Sequence, residues 1–190
     1  MNLILIRLLD FLLAFFGLLA TFPILIVVTI IGYFDTGAPV FIQQRMGKNK
    51  LPFKLIKFRT MSVDTKSVAS HLASAASITK LGGFLRKTKI DELPQLINVL
   101  KGEMSFVGPR PNLFNQEELI TERDSRGVYA VLPGITGLAQ VSTIDMSTPK
   151  LLAETDEKMI AELSLTHYFK FIIMTIIGKG AGDRVKSDNQ

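Results

Sequence analysis

Two adjacent carboxylates, Asp91 and Glu92, follow Arg86, Lys87 and Lys89 and stand just ahead of an apolar repeat, Leu93, Leu96, Ile97 and Leu100, at helical spacing. Read alone, Asp91 is an N-cap. That reading is compatible with chemistry, because a helix N-terminus stabilises anions and attracts phosphate. A carboxylate pair amid bases can also divide its roles, one as nucleophile and one as metal ligand. Arg110 lies between Pro109 and Pro111, which fix its backbone, and its fork suits bidentate contacts to phosphate. Strand alternation puts Lys57 and Arg59 on one face as candidate phosphate contacts, with a solvated or lipid-headgroup face as the plain reading. Arg86 and Lys89 are candidates for either substrate phosphate or headgroup anchoring. There is no cysteine, and the two histidines, His71 and His167, lie far apart with no partner at ligand spacing. Neither a zinc site nor a Ser-His-Asp triad is expected.

The elements around these residues carry an uneven charge. The net charge is +5, yet Thr36 to Ile90 holds eleven Lys or Arg against the single acid Asp64. From Asp91 onward ten bases face fourteen acids. A basic block of this kind seeks phosphate on a nucleic acid, a lipid headgroup or a nucleotide. No aromatic-rich reader motif accompanies it, so nucleic acid is not the expected partner.

Ahead of the basic block, Leu3 to Phe34 is interrupted only by Arg7 and Asp10, and Phe11 to Phe34 gives 24 uncharged residues. As a straight helix this spans about 36 Å, enough for a hydrocarbon core of roughly 30 Å. The run is too long for a signal-peptide core, and no small-residue cleavage site follows it. Pro23 lies near its midpoint, where it removes one helical hydrogen bond and clashes with the Leu19 carbonyl. A kinked spanning helix and a re-entrant hairpin both fit, with Thr21 placed to satisfy backbone groups near the break. Arg45, Lys48, Lys50, Lys54, Lys57 and Arg59 put the following domain on the cytoplasmic side. Arg7 pulls the N-terminus weakly the same way, which favours re-entry.

The remainder reads as an α+β domain, mainly helical. The membrane anchor covers residues 1–35, broken at Pro23, and the catalytic domain residues 36–190. Val40–Gln44 and Phe53–Arg59 form short strands joined by a turn at Gly47–Lys50. Ser62–Ser77, rich in Ser and Ala, reads as a loop or weak helix, and Ile78–Arg86 as a short helix or turn. Leu93–Leu100 is the clearest helix, with Gly102 as its stop. Asn115–Arg126 and Pro149–Leu163 are further helices, and Pro133–Gly137 is a turn. Tyr168–Ile177 is apolar but too short to span, so it lies at the interface or in the core.

The stretch Phe84 to Pro111, running through Asp91, Glu92, Leu93, Pro94 and Gln95 to Gly108, Pro109, Arg110 and Pro111, resembles the signature of the bacterial sugar transferases. These are the monotopic phosphoglycosyl transferases that start capsule, O-antigen and glycoprotein glycan assembly. Pro39–Gly47 (PVFIQQRMG), Lys57–Met61 (KFRTM) and Pro133–Gln140 (PGITGLAQ) also match, in the family's order. The resemblance implies a bacterial inner-membrane enzyme with its catalytic domain on the cytoplasmic face. Asp91 would attack the β-phosphorus of a UDP-sugar, releasing UMP, and undecaprenyl phosphate would then take the phosphosugar from the aspartyl intermediate. Glu92 matches the family's Mg²⁺ ligand. The family's membrane helix commonly breaks at Ser-Pro, whereas this chain has Phe22 and Pro23 with Thr21 one position earlier. Without the multi-spanning N-terminal extension of larger members, the chain resembles the small type. Val141–Pro149 and Gly178–Val185 resemble a capsule and O-antigen subgroup, implying an acetamido-deoxy sugar donor such as UDP-N-acetylfucosamine. The competing class is a non-enzymatic, membrane-anchored basic module that binds anionic lipid or nucleic acid. An inactive scaffold is disfavoured by the presence of Asp91, Glu92 and Arg110 together.

Overall fold

The computed structural model describes residues 3–65 and 75–178. The middle of the Ser- and Ala-rich stretch, with His71, and nearly all of the Gly178–Val185 motif lie outside the described residues. The apolar run folds as one helix, α1, Leu3–Thr36, with Pro23 inside it. Its 34 residues make it about 51 Å long, more than a bilayer core requires. The Thr21 hydroxyl donates to the Gly17 carbonyl at 2.7 Å. It therefore does not serve the Leu19 carbonyl that Pro23 leaves without its donor, contrary to the sequence expectation.

One stripe of α1 packs on the rest of the protein. Ile6, Asp10, Ala14 and Val28 are buried, and Leu18 and Leu25 pack partly buried between them. These intervals of three, four or seven residues define a single helix face. The other faces expose Phe11, Phe16, Leu19, Phe22 and Ile30, an apolar surface suited to lipid. Both charges in the run serve the docking. Arg7 donates from Nη1 and Nη2 to the Val99 and Leu100 carbonyls, at 2.6 and 3.0 Å. Those groups end a second helix, where free carbonyls and the negative dipole end favour a cation. Asp10 Oδ1 accepts from Ser105 Oγ, the Phe106 amide and Tyr168 Oη at 3.0, 2.9 and 2.8 Å.

Strands β1 (Val40–Met46) and β2 (Pro52–Phe58) form an antiparallel hairpin with Gln43 opposite Leu55. A 3-10 turn, Lys48–Lys50, joins them, in accord with the expected turn. Helix α2 is Lys80–Thr88, N-capped by Thr79, whose side chain accepts from the Gly82 amide. Helix α3 is Gln95–Lys101 and ends at Gly102 in the left-handed conformation, φ 83°. Asn98, fully buried on α3, uses its amide as a strand partner. It donates to the Lys54 carbonyl at 2.8 Å and accepts from the Ile56 amide at 3.1 Å, fastening α3 to β2.

The chain then adds β3 (Ser105–Val107), α4 (Glu117–Ser125), β4 (Gly134–Thr136), α5 (Leu138–Val141), α6 (Pro149–Glu162) and α7 (Leu165–Ile176). Strands β3 and β4 pair in parallel, so the segment read from sequence as a turn at Pro133–Gly137 contains a strand. On α7, Tyr168 and Phe171 are buried while Phe169, Ile173 and Ile176 are exposed, an amphipathic helix as expected for an interfacial element. Ala14 packs with Phe53, Leu96, Val99 and Met104, and Ile6 with Val107, Tyr168 and Phe171. The anchor helix is thus part of the core.

Candidate active site

Asp91 and Glu92 lie in a 3-10 turn, Ile90–Glu92, that leads into α3. The helix begins later than its apolar repeat suggests, so Asp91 is inside the first turn instead of capping it. The cap position of the turn is Lys89, in the left-handed conformation with φ 59° and no side-chain cap bond. Both carboxylates are buried, at 5% and 9% exposure. Glu92 Oε1 accepts from Arg110 Nη2 at 2.7 Å, joining the two halves of the site across 18 residues of sequence.

The loop that carries Arg110 is built for a close backbone approach. Gly108 and Gly134 face each other across β3 and β4. A Cβ added at Gly134 would lie 2.0 Å from the Gly108 nitrogen, so no other residue fits there. The Gly108 amide donates to the Thr136 carbonyl, and the Gly134 amide to that of Pro109. Glycines from two separate sequence motifs therefore form one crossing point beside Arg110.

Basic side chains gather on the polar side. Arg45, Lys57, Gln95 and Arg110 line a small cleft, and Arg45 and Lys57 are buried at 5% and 8% exposure. Arg45 donates to Gln43 Oε1 at 2.6 Å and to the Pro111 carbonyl at 3.2 Å. Lys89 interacts electrostatically with Glu92 and Arg110. Burial holds its ammonium below the ordinary lysine value, Glu92 opposes that shift, and Arg110 reinforces it. Lys57 and Arg59 both lie over the Phe41 ring, at 5.7 and 5.2 Å from its centroid. Arg59 Nε donates to the Ala38 carbonyl and Arg86 Nε to Thr60 Oγ1, each at 2.8 Å. Of the residues singled out from sequence, Glu92, Arg110, Lys57 and Lys89 come together, and Asp91 is buried in the same turn as Glu92. Arg59 and Arg86 are engaged with the loop ends around β2. Arg45 and Gln95 join the cleft without having been distinguished in sequence, since Arg45 is one of many bases and Gln95 an ordinary helix residue.

On the other side of Glu92 opens a groove of about 450 Å³. Leu13, Gly17 and Thr21 of α1 line it together with Phe106, Ile135 and Ile172, while Lys89 and Glu92 stand at its polar end. Glu92 borders this apolar groove and its partner Arg110 borders the polar cleft, so their ion pair lies between the two.

Among the described residues no group of three or more His, Cys, Asp or Glu could hold a metal by itself. Mg²⁺ is commonly bound through one or two carboxylates, with substrate phosphates and water completing its shell. Asp91 and Glu92 are adjacent hard oxygen donors, with Glu92 bordering the groove, and fit that sparse arrangement.

An apolar helix, a buried carboxylate pair among cations and an adjoining apolar groove are compatible with a membrane-bound enzyme acting on phosphate. The particular class follows from comparison. The profile of the bacterial sugar transferase family matches residues 1–179, and the chain belongs to that family. It is 45% identical over 140 residues to the sugar transferase EpsL of Bacillus subtilis (strain 168), covering 73% of this chain and 69% of that one. It is 41% identical over 152 residues to the exopolysaccharide production protein PSS of Rhizobium leguminosarum bv. phaseoli, with 74% and 75% covered. It is 36% identical over 177 residues to the UDP-glucose:undecaprenyl-phosphate glucose-1-phosphate transferase of Escherichia coli (strain K12). That match covers 88% of this chain but 38% of the longer relative. The protein is accordingly a sugar-1-phosphate transferase, anchored by α1 with its remaining domain facing the cytoplasm. The non-enzymatic basic module is set aside on this ground.

Proposed function

We propose that the protein transfers a sugar-1-phosphate from a UDP-sugar to undecaprenyl phosphate through an aspartyl intermediate on Asp91. The observation that carries this reading is the Glu92–Arg110 pair, bordered by a cationic cleft on one side and an apolar groove on the other. The basic side chains around the cleft suit phosphate oxygens at its mouth, and the groove suits an isoprenoid chain with its phosphate near Lys89.

In the first half-reaction a carboxylate oxygen of Asp91 attacks the β-phosphorus. The bond from that phosphorus to the bridging oxygen breaks, and UMP leaves with the bridging oxygen. A carboxylate, with an ordinary pKa of about 3.9, is ionised at neutral pH and needs no general base. Arg110, Lys57 and Lys89 stabilise charge on the phosphoryl oxygens. In the second half-reaction an acceptor phosphate oxygen attacks the same phosphorus, and Asp91 is regenerated as carboxylate. Mg²⁺, held through Glu92, would offset charge on the diphosphate. Water kept out of the groove protects the acyl phosphate from hydrolysis.

Residues 1–35 serve as anchor and residues 36–190 as catalytic domain. A re-entrant course for α1 is supported by attachments near both of its ends. Arg7 and Asp10 are tied to α3 and β3, and Asp35 accepts from Thr79 Oγ1 at 2.7 Å. Both ends thus lie on the same domain. The donor is read as an acetamido-deoxy sugar from the subgroup resemblance of Val141–Pro149, in a pathway of capsule, O-antigen or glycoprotein glycan assembly.

The test uses purified protein, undecaprenyl phosphate, Mg²⁺ and a panel of UDP-sugars. The wild type releases UMP and, without acceptor, retains labelled phosphosugar on the chain, while Asp91→Asn does neither. Release of UDP, or full turnover by Asp91→Asn, would overturn the proposal.

A further inference from the structure

The loop over residues 110–112 is held at each of its three carbonyls, one of them from α4 and two from β1. Arg123 Nη1 donates to the Arg110 carbonyl at 2.8 Å. Arg45 donates to that of Pro111, and the Met46 amide to that of Asn112. Behind the loop, Arg123 is fully engaged. Its Nη1 also reaches Asn112 Oδ1 at 3.0 Å, and its Nε and Nη2 donate to Asp156 Oδ2 at 3.0 and 2.6 Å. Tyr129 Oη donates to the same Asn112 oxygen at 3.0 Å. Arg123, Asn112 and Asp156 are 1%, 0% and 0% exposed.

Taking a guanidinium and a carboxylate out of water is costly, and a well-packed apolar pair of similar volume joins two helices equally well. What such a pair cannot do is donate to the Arg110 carbonyl and to Asn112 while bridging α4 to α6. We propose that the Arg123–Asp156 pair is a positioning device for Arg110, setting the backbone from which its side chain reaches Glu92 and the transferred phosphoryl group. Arg123 is a positioning residue and touches no substrate. This inference rests on the proposed role of Arg110.

The test is a double-mutant cycle read as UMP release and as single-turnover labelling, which follows slow rates. The paired replacement Arg123→Met with Asp156→Leu removes both buried charges together and so preserves packing. It is expected to stay folded, melting about 2–12 °C below the wild type because the Arg110 carbonyl loses its donor, yet lose about 100-fold in kcat, the scale of a small misplacement at a reacting centre. In an Arg110→Lys background the same pair of changes costs far less, because the positioned group is already gone. A folded paired variant with wild-type kcat overturns the proposal, as does an equal loss in both backgrounds. Should the paired variant fail to fold, Tyr129→Phe carries the same cycle, with an expected kcat loss of roughly 2- to 10-fold from one hydrogen bond. Absence of label on the wild type would count against Asp91 alone, since UMP release still reads the cycle.

Discussion

Thr21 lines the apolar groove from α1, and its hydroxyl bonds within the helix, to the Gly17 carbonyl. Thr21→Phe therefore places a ring in the space assigned to the acceptor chain while leaving the polar cleft untouched. Each buried methylene is worth about 0.8 kcal/mol, so a ring displacing two of them costs about 1.6 kcal/mol, or roughly 15-fold in acceptor affinity. The expected result is a rise of that order in the acceptor KM, with the rate of donor labelling in the absence of acceptor unchanged. The assay is UMP release from protein in lipid nanodiscs across an acceptor titration, paired with single-turnover labelling. Thr21→Ala separates loss of the hydroxyl from gain of bulk, and its effect on the acceptor KM is expected to be the smaller. An unaltered acceptor KM in Thr21→Phe would refute the groove assignment. An equal fall in donor labelling would show that the change reaches the cleft, contrary to the two-sided site.

Burial lowers the Lys89 pKa, so its charge is lost as pH rises through a value below the ordinary lysine 10.5. Affinity for phosphate owed to that charge falls over the same alkaline window. Lys89→Arg keeps the charge and should move the alkaline limb of kcat/KM upward, and coincident limbs would exclude Lys89 from phosphate binding. Gly134→Ala drives a Cβ into the Gly108 backbone. The expected loss is near the top of the roughly 1–3 kcal/mol typical of overpacking, a Tm fall of about 6–12 °C for a chain of this size. Unchanged melting would mean that the two glycines do not meet.

The hairpin β1–β2 was legible because Phe53, Leu55 and Lys57 alternate with Lys54 and Ile56, and the structure buries the first set. Helix α3 announced itself by its period and its Gly102 stop, α4 only by its polar, helix-favouring composition, and α6 began as read at Pro149. Strands β3 and β4 did not. Each is three residues long, their pairing is parallel across a long separation, and the surrounding prolines and glycines read as turns. Three residues carry too little alternation to register. In the site, the Asp91-Glu92 pair and Arg110 stood out by type and setting. Arg45 did not, because burial separates it from Lys48 or Lys50 and sequence does not display burial. Arg7 and Asp10 read as interruptions of a membrane segment, since their partners are supplied by distant parts of the chain.

That last pairing has a consequence for biogenesis. The anchor leaves the ribosome first, carrying an aspartate whose hydrogen-bond donors Ser105 and Tyr168 lie 95 and 158 residues further along. Until those are synthesised, water is the partner open to the carboxylate, which stands ahead of the uncharged run. The docking of α1 through Asp10 is therefore complete only once α7 has been made.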